Sequence, residues 1–66
     1  MNYKLNIELI KIQMLQKGYS INRLSKESHI SKSTISRLLK QLGTNRAETI
    51  YKIARALDLE VKDLLL

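Results

Sequence analysis

The chain has no cysteine, proline, tryptophan or phenylalanine, and only two glycines, three tyrosines and one histidine among its 66 residues. Without cysteine it can build neither a disulfide framework nor a thiolate metal site, and His29 alone cannot assemble a zinc centre. So little glycine and proline leaves little loop in which to shape an active site. The six acidic residues are scattered. No glycine-rich phosphate cradle, nucleophile with a histidine base, or carboxylate pair is present, so no enzyme and no cofactor are expected. Three tyrosines and no other aromatic are too few for single-strand base stacking, and no RNA module signature is visible. No apolar run approaches the roughly 20 residues that cross a bilayer, and no signal peptide opens the chain. The expectation is a soluble cytoplasmic protein of bacterial or phage type, with residues 1–66 as one small domain and no membrane partner.

What is present is concentrated in Ser20–Leu39, SINRLSKESHISKSTISRLL. Ser20 reads as an N-cap, whose hydroxyl accepts from an orphan N–H at a helix start. Leu24 supplies the inward position of the helix that follows. Ser31 repeats the capping signal eleven residues later, and Ile35 and Leu38 are the inward positions of a second helix. That leaves Lys32, Ser33, Ser36 and Arg37 on its outer face, cations and hydroxyls that suit phosphates and base edges of a major groove. Two short helices and a tight turn make a helix-turn-helix.

Charge gathers on the same segment. The chain carries +6, and between Lys17 and Arg46 seven cations (Lys17, Arg23, Lys26, Lys32, Arg37, Lys40, Arg46) face one anion, Glu27. Elsewhere five cations meet five anions, so the whole excess lies in and around the helix-turn-helix. Such a field attracts a polyanion and makes its binding salt-dependent. A solvated basic face kept for solubility is the competing account. It does not explain why the charge coincides with the motif.

The rest of the chain reads as helical. A first helix is expected from about Asn2 to Lys17, with Ile7, Ile10 and Met14 on one stripe and Leu5, Leu9 and Ile12 beside it, and Gly18 as left-handed C-cap. A second spans about Ile21–Ser28 and a third about Lys32–Gln41, ending before Gly43. His29 falls in the turn, where it must tolerate a positive φ. Asn45 and Glu48 have capping-box spacing ahead of a fourth helix with Ile50, Ile53, Ala54 and Leu57 inward. Leu59 and Val61 lead to a short last helix with Leu64 inward. Tyr19 and Tyr51 are expected at the edge of the core. Leu42, Leu65 and Leu66 are either core or a dimer seam.

Gly18, Ser20, Leu24, Ile30-Ser31, the run Ser33-Thr34-Ile35-Ser36-Arg37 and then Ala54-Arg55-Ala56-Leu57 resemble the Cro/C1-type helix-turn-helix family, the phage-repressor-like regulators. The resemblance runs without a gap from about Ile10 to Leu65. It implies an all-α, five-helix, lambda-repressor-like fold and a sequence-specific double-stranded-DNA-binding transcriptional regulator, a repressor, bound as a homodimer to a two-fold-symmetric operator. The third helix would then be the recognition helix in the major groove. Four positions depart from the family pattern. Ile21 replaces the usual glutamine that opens the second helix, Ser25 a small alanine, and His29 the turn glycine. Met14 and Leu39 stand where many members pair arginine with glutamate, and both are expected to be buried and in contact.

On this basis Lys32, Ser33, Ser36 and Arg37 are assigned to bases. Thr34 joins them, unless its methyl simply packs at the helix start. Asn22, Arg23 and Lys26 on the second helix are assigned to phosphates, together with Lys40, Thr44, Asn45 and Arg46 after the third; Asn45 has its capping role as an equal competitor. A protein-interaction module on the same scaffold, docking a toxin or a polymerase subunit, is the alternative function. Such a docking face should be apolar or aromatic, and the outer face of the third helix is neither.

Overall fold

The computed structural model describes residues 3–43 and 45–66. Five helices follow in the order α1 (Ile7–Lys17), α2 (Ile21–Ser28), α3 (Lys32–Leu39), α4 (Ala47–Ala56) and α5 (Val61–Leu64). Each has a local reason to start or stop. Asn6 begins α1, its side-chain oxygen accepting from the Leu9 N–H at 3.1 Å. The helix therefore starts later than its apolar stripe suggests; Asn2 lies outside the described residues. Residues 4–6 are used instead in a short antiparallel pairing with the other end of the chain. Leu5 bridges Leu65, the Asn6 N–H donates to Leu64 O at 2.7 Å, and the Leu66 N–H donates to Lys4 O at 3.1 Å.

Four of the helices end on a residue in the left-handed region: Gly18 (φ 68°), His29 (59°), Gln41 (59°) and Asp58 (56°). In each, the next N–H turns back onto a carbonyl five residues earlier: Tyr19 to Met14, Ile30 to Ser25, Leu42 to Arg37 and Leu59 to Ala54. This closure satisfies carbonyls that the helix end would otherwise leave without a donor. His29 adopts the positive φ expected of it. Gln41 takes the left-handed position after α3, so that helix stops at Leu39 and not at Gln41. Gly43 sits further along the loop, at φ 75°.

The expected capping box at Asn45 and Glu48 does not form. Arg46 occupies the N-cap position of α4 and makes no side-chain cap bond. Asn45 turns away and donates from Nδ2 to the Tyr3 carbonyl at 3.2 Å, giving the N-terminal segment a donor. A capping box is present at α5 instead, between Glu60 and Asp63.

Ile10, Leu24, Ile35, Ile53, Leu57 and Leu64 are fully buried, so every helix contributes to one core cluster. Each such side chain contributes about 1.5–3 kcal/mol on leaving water. Ile7, Met14, Ile50 and Ala54 are buried as their spacing predicts, and Leu59 and Leu65 pack against the cluster from its edge. Met14 is buried, but Leu39 is only half-buried against the cluster, so full burial holds for one member of that apolar pair. Tyr19 does lie at the core edge. Tyr51 is 57% exposed and does not, because its place on α4 faces away from the inward stripe of Ile50, Ile53 and Ala54. Ile12, Leu15, Leu42 and Leu66 are exposed.

Two polar contacts hold the turns in place. The Ser25 hydroxyl donates to Ile30 O while the Ile30 N–H donates to Ser25 O, so one residue pair closes the helix-turn-helix from both sides. Ser28, the one buried polar residue among those described, donates to Leu24 O at 2.6 Å. At the far side, Lys17 at the end of α1 pairs with Asp58 at the end of α4, and Gln13 Nε2 donates to Leu57 O at 3.0 Å.

Ser25→Ala should lower stability by about 1 kcal/mol, the usual worth of such a hydrogen bond. His29→Gly should raise it by up to about 1 kcal/mol, relief of the left-handed strain exceeding the added backbone entropy. Chemical denaturation of both variants checks the opposite signs. The Lys17–Asp58 pair predicts a pH dependence. Its hydrogen bond holds the Asp58 carboxyl below the usual 3.8 and the Lys17 ammonium above the usual 10.5. Asp58 therefore stabilises the fold above about pH 3.8 and loses that contribution as the pH falls through its lowered value. Lys17 contributes below about pH 10.5 and loses it as the pH rises through the raised value. Asn tolerates the same backbone region as Asp. Asp58→Asn should thus melt below the parent at pH 7, with the gap closing in acid.

Candidate nucleic-acid interface

The Ser20 hydroxyl accepts from the Arg23 N–H at 3.2 Å and so fixes the start of α2. The N–H groups of Ile21 and Asn22 precede any intrahelical carbonyl that could take them, which leaves donors at this end for an anion. Asn22 and Lys26, one turn apart, are both exposed on α2. The exposed Ile21 adds no polar group beside them.

Ser31 sets up α3 in the same way. Its Oγ accepts from the Thr34 N–H at 3.2 Å and donates to Thr34 Oγ1 at 2.8 Å. The half-buried Thr34 hydroxyl is thus tied to the helix cap, which favours its structural reading over base contact. Beyond the cap, Ile35 and Leu38 face the core. Lys32, Ser33 and Arg37 are exposed and Ser36 is half-buried, so the four share the opposite face as the spacing requires. α3 packs on α2, and α2 packs on α4, which holds the two motif helices at a fixed crossing.

The remaining assigned residues divide. Lys40 caps the C-terminus of α3 and is exposed, and Arg46 is exposed at the start of α4. Thr44 lies outside the described residues. Asn45 is half-buried, and one of its amide hydrogens goes to Tyr3 O. Ion pairing sharpens the contrast between faces. Lys17 pairs with Asp58, Lys52 with Glu48 and Lys62 with Glu60, all away from α3. Among the described residues Lys26, Lys32, Arg37, Lys40 and Arg46 have no such partner, while Arg23 pairs with Glu27 at 3.0 Å. Cations left unpaired on one face are available to an external polyanion.

Two contributors escaped the reading of the sequence. Ser25, noted only as a departure from alanine, closes the turn that sets α3 against α2. Tyr19 does more than edge the core. Its ring carries Arg23 Cζ at 5.2 Å and Lys17 Nζ at 5.8 Å from the centroid. The signal was present in the chain, as cations placed two residues before and four after the aromatic.

A family model of the Cro/C1-type HTH DNA-binding domain matches residues 10–65. The chain belongs to this family. The HTH-type transcriptional regulator SlrR of Bacillus subtilis is 35% identical over 57 residues, which cover 85% of this chain and 38% of SlrR. The chain thus spans well under half of that relative. Among solved structures, the N-terminal DNA-binding domain of the biofilm regulator SinR from Bacillus subtilis superposes with a TM-score of 0.73. It is 29% identical, and the match covers 86% of this chain and 84% of that one. A SinR/SinI protein complex matches with a TM-score of 0.74 and 30% identity, over 83% of this chain and 54% of that one. The fold is lambda-repressor-like, and the chain carries a DNA-binding domain of the kind found in transcriptional regulators. Among the described residues no helix is long and apolar enough to cross a membrane.

If Ser31 is the cap on which α3 depends, Ser31→Ala should lower stability by about 1 kcal/mol. The exposed Ser33→Ala should stay within about 0.5 kcal/mol of the parent. Thermal unfolding of the two variants separates a capping serine from a surface one.

Proposed function

We propose that the chain is a sequence-specific double-stranded-DNA-binding transcriptional regulator of the cytoplasm, acting as a repressor, that places α3 in the major groove. The observation that carries this reading is the outer face of α3, where Lys32, Ser33, Ser36 and Arg37 are turned from the core and the cations have no ion-pair partner among the described residues. Arg37 lies four residues after Ser33 and five after Lys32, so their side chains can enter one groove together. The Arg37 guanidinium suits a bidentate contact to guanine, and Lys32, Ser33 and Ser36 suit neighbouring base edges. Thr34 is a base contact only through a hydroxyl already engaged by Ser31. The phosphate grip falls to Asn22, Arg23 and Lys26 before α3 and to Lys40, Thr44 and Arg46 after it. Asn45 serves the backbone grip by holding that loop to the N-terminal segment.

One recognition helix of eight residues reads too few base pairs to be selective. The active species is therefore a homodimer on a two-fold-symmetric operator, with half-sites about 10 bp apart. A protein-docking function would call for an apolar or aromatic outer face on α3, and nothing of that kind is there.

Selection from a random duplex pool, followed by anisotropy titration at several salt concentrations, tests the proposal. A palindromic consensus, two chains per site and a log–log salt slope near about −5 are expected if about six phosphates are neutralised. Arg37→Ala should cost about 1–3 kcal/mol on the selected site and relax preference at one position. Lys26→Ala and Arg46→Ala should weaken selected and scrambled duplexes alike and shallow the slope by about one each. Absence of duplex binding at low salt overturns the reading.

A further inference from the structure

Arg23 differs from the other cations of the DNA-facing side in being held before any ligand arrives. Its guanidinium lies over the Tyr19 ring with Cζ 5.2 Å from the centroid, and its Nε donates to Glu27 Oε2 at 3.0 Å. Its backbone N–H is fixed as well, by the Ser20 cap. A long arginine side chain on an exposed helix surface normally samples many rotamers, and ordering it on binding has an entropic cost of about 0.5–1.5 kcal/mol. Here the aromatic face and the carboxylate have already selected one arrangement. The hydrogen bond to Glu27 uses Nε, and among the described residues no hydrogen bond occupies the terminal Nη groups. Those two nitrogens carry the donors that match a phosphate.

The ring itself is anchored. Tyr19 packs against the core cluster. It follows the left-handed Gly18, and its N–H returns to Met14 O at 2.8 Å. Lys17, the second cation near the ring, is drawn toward Asp58 by their ion pair. The platform is therefore attached to α1, while the group it supports belongs to α2.

We propose that Tyr19 is a positioning residue for DNA binding: its ring pre-orders the Arg23 guanidinium so that the Nη groups meet a backbone phosphate beside the start of α2. The inference rests on the phosphate role given to Arg23 above and deepens it. Cation–π contacts at exposed sites correspond to a roughly 2–5-fold effect on an equilibrium constant. Because phosphates do not encode sequence, that effect falls equally on specific and scrambled duplexes.

A double-mutant cycle on duplex affinity tests it, with Tyr19→Leu, Tyr19→Phe, Arg23→Ala and the Tyr19→Leu/Arg23→Ala double variant, each checked by circular dichroism to be folded at the assay temperature. Tyr19→Leu should weaken all duplexes about 2–5-fold, and Tyr19→Phe, which keeps the ring face, should restore parental affinity. In the Arg23→Ala background Tyr19→Leu should change nothing further. A purely structural role for Tyr19 would persist in that background. If Arg23→Ala weakens binding and shallows the salt slope but Tyr19→Leu costs as much with as without Arg23, the phosphate role stands and the positioning role is overturned. If Arg23→Ala leaves affinity and slope unchanged, both are overturned. Should Tyr19→Leu unfold the protein, Tyr19→Phe against Tyr19→His decides: the histidine ring keeps a planar face but is a poorer cation platform, and parental affinity for both variants overturns the proposal.

Discussion

α3 is joined to the rest of the molecule through two buried side chains, Ile35 and Leu38. Everything on its outer face is placed by how those two sit among Leu24, Ile53 and the rest of the cluster. An eight-residue helix is not stable alone in water, so it exists because the core holds its inner face and Ser31 satisfies its first turn. Its direction is set by the two-way bond between Ser25 and Ile30, which leaves the intervening turn no freedom to widen. Position, existence and direction of the reading helix thus come from three separate sources. A change in any one of them would move the DNA-facing residues without touching them.

The parts legible in the sequence were those governed by local, periodic rules. Ser20 and Ser31 stand as caps because an N-cap needs only a short oxygen at one position. Ile35, Leu38, Ile50, Ile53 and Leu57 are buried because helical spacing puts them on one stripe. What failed was decided by distant partners. Asn45 has every local qualification for a cap, yet a carbonyl 42 residues away at Tyr3 takes its amide. α1 starts late because residues near its beginning pair with the other end of the chain. Leu39 was expected to vanish into the core with Met14, but the edge of the cluster lies there and it stays half in water. For the DNA-facing side the chain showed which residues are cationic. It could not show that the acidic residues outside the motif pair among their own neighbours and leave that side unneutralised.

The charge arrangement has a physical economy. Each ion pair away from α3 involves a side chain with substantial exposure, so none adds much to stability. Their greater effect is on the field. Anions matched locally with Lys17, Lys52 and Lys62 draw less on the potential in front of α2 and α3. Glu27 is the one acid within the basic stretch, and it is engaged with Arg23 rather than facing an approaching duplex alone.

The pairing of Leu5 with Leu65 gives the folding of this domain an uneven order. Most of its contacts join neighbouring helices and form across short stretches of chain. The terminal clasp joins segments sixty positions apart, and its loop-closure entropy is at its lowest only once α1 to α5 are already gathered. The clasp is therefore the last element to close and the first to open. Because α1 and α5 share it, fraying at either end of the chain loosens both helices together. The helix-turn-helix, built from the most local contacts in the molecule, is insulated from that fraying.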